Sequence, residues 1–165
     1  SQLLDTMSEM DKEVTTRFKK TFDEVSEAFE EIFPEMFAGG RAKLVLTEPD
    51  NLLESGIEII AQPPGKKFQR LSLLSGGEKA LTAITLLFAI IKAKPVPFCI
   101  LDEVEASLDD AKVYRFANYL NQYDDNTEFI VITHRKGTMM NVNRLYGVTM
   151  EESGVSRMLS VKVKE

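Results

Sequence analysis

Residues 98–103 read FCILDE, a short apolar run that ends in two adjacent carboxylates. A second apolar run, EFIVIT at residues 128–133, follows a helical pattern over residues 109–123. Uninterrupted apolar strands are typical of parallel sheets covered on both faces, so we expect the strand at 98–101 to be buried on both sides. With a further helix predicted over residues 76–93, the helix–strand–helix–strand order indicates an α/β core.

The flanks of this core have different patterns. Residues 3–37 carry apolar side chains at steps of three and four, which predicts one long amphipathic helix ended by Pro34 and then Gly39-Gly40. Such a helix is about 50 Å long, more than the width of a small domain, so its apolar stripe needs a partner over part of its length. We favour the stub of a coiled coil over an ordinary surface helix. The predicted domains are a coiled-coil arm over residues 1–38 and a globular lobe over residues 39–165.

Shorter elements complete the predicted fold. Strands are predicted at 41–46 and 56–61, a turn at 47–51, a loop at 63–67, a short helix near 136–143 and two final strands near 145–150 and 155–163. In the last strand apolar side chains alternate with mixed ones, so one face can be buried against a partner or against the sheet of the lobe itself.

Composition limits the function classes. The chain has 165 residues, 44% of them hydrophobic, and a net charge of −6, which fits one domain with or without an appendage. Residues 1–40 hold ten acids and four bases, and no basic stripe predicts a nucleic-acid surface. One cysteine (Cys99) and one histidine (His134) argue against an internal disulfide and a structural zinc site. No membrane-spanning run or secretory signal is visible, so we expect a cytoplasmic protein, and the start at Ser1 suggests a piece of a longer one.

The stretch Ser75-Gly76-Gly77-Glu78-Lys79 opens the helix predicted over 76–93. Two glycines allow close approach of a ligand, and the free N–H groups at a helix N-terminus attract anions. A local capping box, with Ser75 and Glu78 exchanging hydrogen bonds, explains the same residues without a ligand. Both interpretations stay open at this point.

Three further side chains follow predicted strands. Asp102 and Glu103 end the strand at 98–101, where an aspartate can hold Mg²⁺ and a glutamate can polarise an attacking water. The alternative is that the two carboxylates only cap the next turn. His134 follows the strand at 128–133 and would lie level with the carboxylates if the two strands are neighbours, although a lone histidine is more often structural. Cys99 is expected to be an inert buried thiol.

Together these stretches resemble the C-terminal half of an ABC-type ATPase head. Leu74–Lys79 is similar to the signature motif, Phe98–Glu103 to Walker B with its catalytic glutamate, and His134 to the switch histidine. The stretch Ala106-Ser107-Leu108-Asp109 is similar to the D-loop, although Glu105 and Ser107 depart mildly from the DEVDAALDD that we expect there. Within this superfamily the chain resembles the SMC (structural maintenance of chromosomes) proteins, most closely the bacterial type, over nearly its whole length.

The resemblance implies a fold and a mechanism. The fold class is α/β, the C-terminal lobe of an ABC-type head with a mixed sheet, flanking helices and a coiled-coil stub. No G-x-x-x-x-G-K-[S/T] loop occurs in the sequence, so the phosphate-cradling loop is expected in a separate N-terminal half and this chain alone should not hydrolyse ATP. With that half, Glu103 and His134 would be catalytic and Asp102 would hold Mg²⁺ through water. The residues Ser75 to Lys79 would reach ATP bound by a second head.

The implied partners are the N-terminal half, a second head in an ATP-dependent homodimer, the winged-helix domain of a kleisin subunit, and DNA through the full complex. The implied role is chromosome condensation and segregation at the nucleoid, with no membrane. Two alternatives are a head fragment of the Rad50 or RecN repair type and a non-catalytic structural or partner-binding module. A transporter subunit fits poorly because it has no place for a long helical arm.

Overall fold

The computed structural model describes residues 2–123 and 127–163, so the outermost ends of the two predicted domains, residues 1, 164 and 165, lie outside the described residues. The helices are α1 (Gln2–Phe37), α2 (Gly76–Ala93), α3 (Asp110–Gln122) and α4 (Lys136–Met139), with a 3₁₀ turn at Leu71–Leu73. The strands are β1 (Arg41–Leu46), β2 (Ile57–Gln62), β3 (Gln69–Arg70), β4 (Phe98–Asp102), β5 (Glu128–Ile132), β6 (Arg144–Glu152) and β7 (Val155–Lys162). The predicted α/β class is confirmed.

Helix α1 covers Gln2–Phe37, which confirms the helix predicted over 3–37, and Pro34 lies within its last turn. A proline inside a helix removes one backbone hydrogen bond, a cost that can be offset by burial of the following turn. Here Met36 and Phe37 are buried. The helix ends where Ala38 takes a left-handed φ of +56° and the N–H of Gly39 donates to the Pro34 carbonyl at 2.8 Å, which is a Schellman-type C-terminus.

Only the last third of α1 contributes to the core. Its first half is solvent-exposed, including apolar side chains such as Met7 (54% exposed) and Met10 (61%). From Val25 onward its apolar stripe packs on α2, α3 and β1. The largest fully buried apolar side chains are Phe29, Ile32, Phe33, Met36, Leu81, Phe88, Val113 and Phe116.

The first sheet has the order β1–β2–β3, with both pairs antiparallel. Ala42 and Leu44 point inward from β1, as the alternation predicts, and β2 starts one residue later than predicted. Gly40 enters this sheet with a φ of +75°, and a Cβ there would lie 2.2 Å from the carbonyl oxygen of Gln62. Only glycine fits this junction between helix and sheet.

Strands β4 and β5 form a parallel pair that is covered on one face only. Cys99, Leu101, Phe129 and Val131 pack on the core. The opposite side, which we call the open sheet face, carries Phe98 (59% exposed), Ile100 (56%), Ile130 (53%) and Ile132 (51%). The prediction that the strand at 98–101 is buried on both sides is therefore wrong for this chain, because the packed core covers only one side of the pair.

Strands β6 and β7 form an antiparallel hairpin with a register irregularity between Met150 and Glu152. Every residue of β7 is exposed, so neither of its faces is buried by the described residues. Large apolar side chains on the hairpin are open to solvent, among them Val148 (70%) and Met158 (69%).

Helix α4 stops at Met139, earlier than the predicted 143. Among the described residues, no helix combines the length and apolar character that crossing a membrane requires.

Candidate active site

The parallel pairing of β4 and β5 brings two predicted site residues together. Asp102 lies opposite Ile132, so the residues that follow each strand leave the same edge of the sheet. The N–H of Glu103 donates to the Ile132 carbonyl at 2.9 Å, which extends the ladder by one step. Nδ1 of His134 lies 3.3 Å from Oε1 of Glu103, with the two side chains 65% and 54% exposed. A carboxylate and an imidazole therefore share one open edge, where a water and a phosphate can reach both.

The backbone at Glu103 is strained. Its φ of +49° lies in the left-handed region, which costs a non-glycine residue about 1–3 kcal/mol and persists only where the surroundings impose it. The carbonyl of Glu103 accepts the N–H of Ala106 at 3.1 Å, so the strain belongs to a tight turn that directly follows β4. Such outliers cluster at functional sites, which favours a role for this carboxylate beyond capping a turn.

Asp102 is exposed beside this pair. Within residues 2–123 and 127–163, no group of three or more histidine, cysteine or acidic side chains could hold a metal ion by itself. Mg²⁺, however, is usually bound by one or two carboxylates together with water and substrate phosphates. A single exposed carboxylate at a strand end fits this incomplete donor set, and the remaining ligands would come from nucleotide and solvent.

Glu105 lies under the turn that carries Glu103, and only 1% of it is exposed. Its Oε1 accepts hydrogen bonds from the hydroxyls of Thr133 and, at 2.9 Å, Thr138. Its Oε2 is buried and has no hydrogen-bond partner among the described residues. One carboxylate oxygen thus joins the segment after β4, the end of β5 and helix α4.

Arg135 joins the loop after His134 to the predicted D-loop. Its guanidinium donates to the carbonyl of Leu108 at 3.1 Å and to the carboxylate of Asp110 at 2.8 Å. Within the D-loop, Leu108 is buried, whereas Ala106 and Ser107 are exposed. The loop therefore has a fixed base and an accessible tip.

Asp109, the last D-loop residue, is the N-cap of α3. It accepts the backbone N–H of Lys112 at 3.0 Å and forms an ion pair with the Lys112 ammonium group. These hydrogen bonds from Lys112 lower the pKa of Asp109 below its ordinary value. The side chain of Asp109 therefore caps α3 and pairs with Lys112 of that helix.

The predicted anion site at the start of α2 contains a complete capping box. Ser75 Oγ accepts the N–H of Glu78 at 3.4 Å, and the Ser75 N–H donates to Oε2 of Glu78 at 2.9 Å. Lys66 also binds this carboxylate, at 2.8 Å. Partial burial raises the pKa of Glu78, but the hydrogen bonds from Lys66 and Ser75 outweigh it and hold the pKa below the usual 4.5. The local interpretation of Ser75 and Glu78 is therefore confirmed, and Glu78 points into its own helix start.

The two glycines leave room beside that cap. A Cβ on Gly76 would meet no atom within 4 Å, whereas a Cβ on Gly77 would lie 3.3 Å from the carbonyl oxygen of Ser107. Gly77 therefore packs against the D-loop, and Lys79 is exposed one turn further on. No hydrogen bond or ion pair between described residues links the start of α2 to Glu103 or His134. The structure thus separates the predicted site residues into two groups, and the second group packs against the D-loop through Gly77.

Sequence reasoning missed three polar residues that build these groups: Lys66, Glu105 and Arg135. Arg135 directly follows His134, and a basic residue beside a strand-end histidine was a usable signal. Glu105 was noted only as a departure from an expected motif. Its partners lie 28 and 33 residues away along the chain, which no local pattern encodes.

The mixed α/β fold of this chain matches that of solved SMC ATPase heads. The chain belongs to the RecF/RecN/SMC N terminal domain family, whose model matches residues 5–157.

Individual relatives are consistent with this membership. The chain is 64% identical over 163 residues to the chromosome partition protein Smc of Lactiplantibacillus plantarum, covering 99% of this chain and 14% of that protein. It thus spans about a seventh of the length of that relative.

Solved structures agree on the fold. One, from work on the structural biochemistry of ATP-driven dimerization and DNA stimulated activation of SMC ATPases, is 42% identical with a TM-score of 0.82, over 90% of each chain. Another is the Smc head domain with an extended coiled coil bound to the C-terminal domain of ScpA, derived from Pyrococcus furiosus. It is 41% identical with a TM-score of 0.84, over 98% of this chain and 40% of that chain.

Proposed function

We propose that this chain is the C-terminal half of an SMC ATPase head that acts in chromosome partition, and that it hydrolyses ATP only together with an N-terminal half. The observation that carries the proposal is the Glu103–His134 pair, 3.3 Å apart at the carboxyl edge of a parallel strand pair. The high identity to a chromosome partition protein favours this function over a repair-type head and over a non-catalytic module.

The assignment to the C-terminal half rests on two features of this chain. The sequence has no phosphate-cradling loop, although the order of its other motifs resembles the second half of an ABC-type head. The open sheet face leaves four large apolar side chains more than half exposed in the same sheet that carries the candidate site. Apolar patches of this kind mark interaction surfaces, and a missing half of the same head would cover it. The matched family model is described as an N terminal domain, so its description does not decide between the halves.

The proposed chemistry is water attack on the γ-phosphate of ATP. Asp102 would hold Mg²⁺ through water, and the ion would neutralise charge on the phosphates. Glu103 accepts the proton of the attacking water, and its strained turn fixes where that carboxylate points. His134, within reach of Glu103, orients the carboxylate and donates a hydrogen bond toward the phosphate or the water.

The second group of residues acts on a different nucleotide in this proposal. Gly76 is open to solvent, and the N–H groups of Gly76 and Gly77, unlike that of Glu78, have no acceptor among the described residues, so a γ-phosphate held by another head can approach them. Ser75, Gly77 and Lys79 complete this surface, with Glu78 holding its shape as the capping partner. ATP would then join two heads at a symmetric interface, and hydrolysis would release them.

Two further surfaces suit other partners. We assign residues 1–38 to the arm and 39–165 to the lobe, and the exposed apolar stripe in the first half of α1 suits a coiled-coil partner. The exposed hairpin β6–β7 suits a kleisin subunit, since the similar Pyrococcus furiosus head is bound to the C-terminal domain of ScpA. Contact with DNA is assigned to the full complex.

The test is ATP hydrolysis by this chain co-expressed with the matching N-terminal half. Turnover is expected from the pair and not from this chain alone. Glu103→Gln should lower turnover about 10²–10⁴-fold, the range typical of a general base, while the ATP-dependent dimer accumulates. Glu54→Gln, an exposed residue in the loop between β1 and β2, is the matched control and should leave turnover unchanged. Appreciable turnover by this chain alone, or more than about a tenth of normal turnover in Glu103→Gln, contradicts the proposal.

A further inference from the structure

We propose that Glu105 is a positioning residue that holds the turn carrying Glu103 against the loop carrying His134. The inference rests on the proposed function, because it assigns the geometry of that active site to a residue outside it. Glu105 is not among the exposed site residues: only 1% of it is accessible.

Glu105 connects the segments that carry Glu103 and His134. Glu105 comes two residues after Glu103, and Thr133 comes immediately before His134. The hydroxyls of Thr133 and Thr138 both donate to Oε1 of Glu105, the latter at 2.9 Å. Thr133 Oγ1 in turn accepts the N–H of Arg135 at 3.0 Å. The residues on both sides of His134 are therefore tied to the same carboxylate that underlies Glu103.

The strained turn at Glu103 needs contacts that hold it in place. The left-handed φ of +49° at Glu103 persists only if the surrounding structure imposes it. The turn is held at its beginning by the hydrogen bond from the Glu103 N–H to Ile132, and further on by the one from the Leu108 N–H to the Glu105 carbonyl at 3.0 Å. The side chain of Glu105 anchors the middle of this turn to Thr133, directly after β5, and to Thr138 in α4.

Burying the carboxylate of Glu105 in the core costs more free energy than burying an apolar side chain there. Its Oε2 is buried without a partner among the described residues, and an apolar side chain of similar volume would avoid that penalty. A residue needed only for packing would not require an acceptor at this position. The acceptor for two threonine hydroxyls is what an apolar side chain cannot supply.

The test compares variants in the head reconstituted from this chain and its N-terminal half. Glu105→Met keeps the volume and removes the acceptor, whereas Glu105→Gln keeps an oxygen that both threonines can reach. We expect Glu105→Met to lower kcat about 10–100-fold, the cost of displacing catalytic groups by about 1 Å, with KM for ATP changed less than about threefold. Glu105→Gln should restore kcat to within about threefold of normal.

A matched pair of threonine variants separates positioning from stability. Thr138→Val removes one donor to Glu105, and Thr85→Val removes an equally buried hydroxyl that donates to the Leu81 carbonyl within α2. Both should lower the unfolding temperature to a similar extent, but only Thr138→Val should lower kcat. If Glu105→Met fails to fold, this pair decides the question.

Three results would overturn the inference: kcat in Glu105→Met within about threefold of normal, Glu105→Gln as defective as Glu105→Met, or equal kcat in the two threonine variants. The Glu103→Gln variant distinguishes this failure from failure of the proposed function. If Glu103→Gln abolishes turnover while the Glu105 and Thr138 variants keep normal kcat, only the positioning role is wrong. If Glu103→Gln keeps normal kcat too, the proposed function fails.

Discussion

Replacing Ile130 with aspartate alters the centre of the open sheet face, where Ile130 pairs with Ile100. Complete burial of an isoleucine side chain stabilises by about 1.5–3 kcal/mol. Because 53% of Ile130 is still exposed, roughly half of that amount, about 1 kcal/mol, is available to a partner that covers this face. Aspartate loses this contribution and also buries an unpaired carboxylate, which costs several kcal/mol.

The expected loss in binding to the N-terminal half is therefore at least about 3 kcal/mol, or more than 100-fold in Kd. The chain by itself should change little, by about 1 kcal/mol or less in the free energy of unfolding, because the side chain is already half in water. Titration calorimetry between the two halves and thermal unfolding of this chain alone measure the two quantities.

Leu53→Asp is the matched control. Leu53 is 51% exposed in the loop between β1 and β2, so it has similar exposure outside the open sheet face. It should leave binding of the N-terminal half unchanged. Equal affinity of the Ile130→Asp and Leu53→Asp chains would refute the reasoning, because it would mean that no partner packs on this face.

Three further predictions concern other parts of the chain. Ser75→Ala should destabilise α2 by about 1 kcal/mol through loss of the cap. Ser75→Arg should abolish ATP-dependent dimers in sedimentation, and dimers that persist in this variant would reduce Ser75 to a helix cap. Because the folded pKa of Glu78 lies below 4.5, its stabilisation is complete above about pH 4.5 and is lost as the pH falls through the folded value. Acid unfolding followed by circular dichroism should therefore be flatter in this range for Glu78→Gln, and an unchanged curve contradicts the assignment. Truncation after Gly154 should leave the core folded and weaken binding of a kleisin winged-helix domain in a pull-down; unchanged binding excludes β7 from that surface.

Local signals in the sequence predicted the regular elements well. Helix α2 occupies the predicted residues 76–93 because its start is encoded by neighbours, Ser75 and Glu78, in a capping box. The proximity of Glu103 and His134 followed from two apolar strands and the tendency of parallel strands to end at one edge. These features depend on short-range patterning, which a single sequence contains.

The features that sequence reasoning missed depend on what lies across the fold. The apolar composition of β4 predicted burial on both faces, but the described residues cover only one face. Composition indicates that a strand can be buried on both faces. It does not indicate which segment covers each face. The bonds that hold Glu105 join residues far apart along the chain, where no periodicity applies.

Helix α1 is a single rod that begins in solvent and ends in the core. From Gln2 to about residue 24 it extends roughly 33 Å beyond the buried part, at 1.5 Å per residue. A tilt of about 5° at the buried end therefore displaces the exposed end by about 3 Å, and a tilt of 10° by about 6 Å. Phe29 and Phe33 fix the helix in the same core as α2. A small tilt of α1 caused by a rearrangement at Gly76-Gly77, where α2 starts, therefore produces a larger displacement at the exposed end of α1. The helix thus resembles a lever whose short end lies in the core of the proposed ATPase lobe.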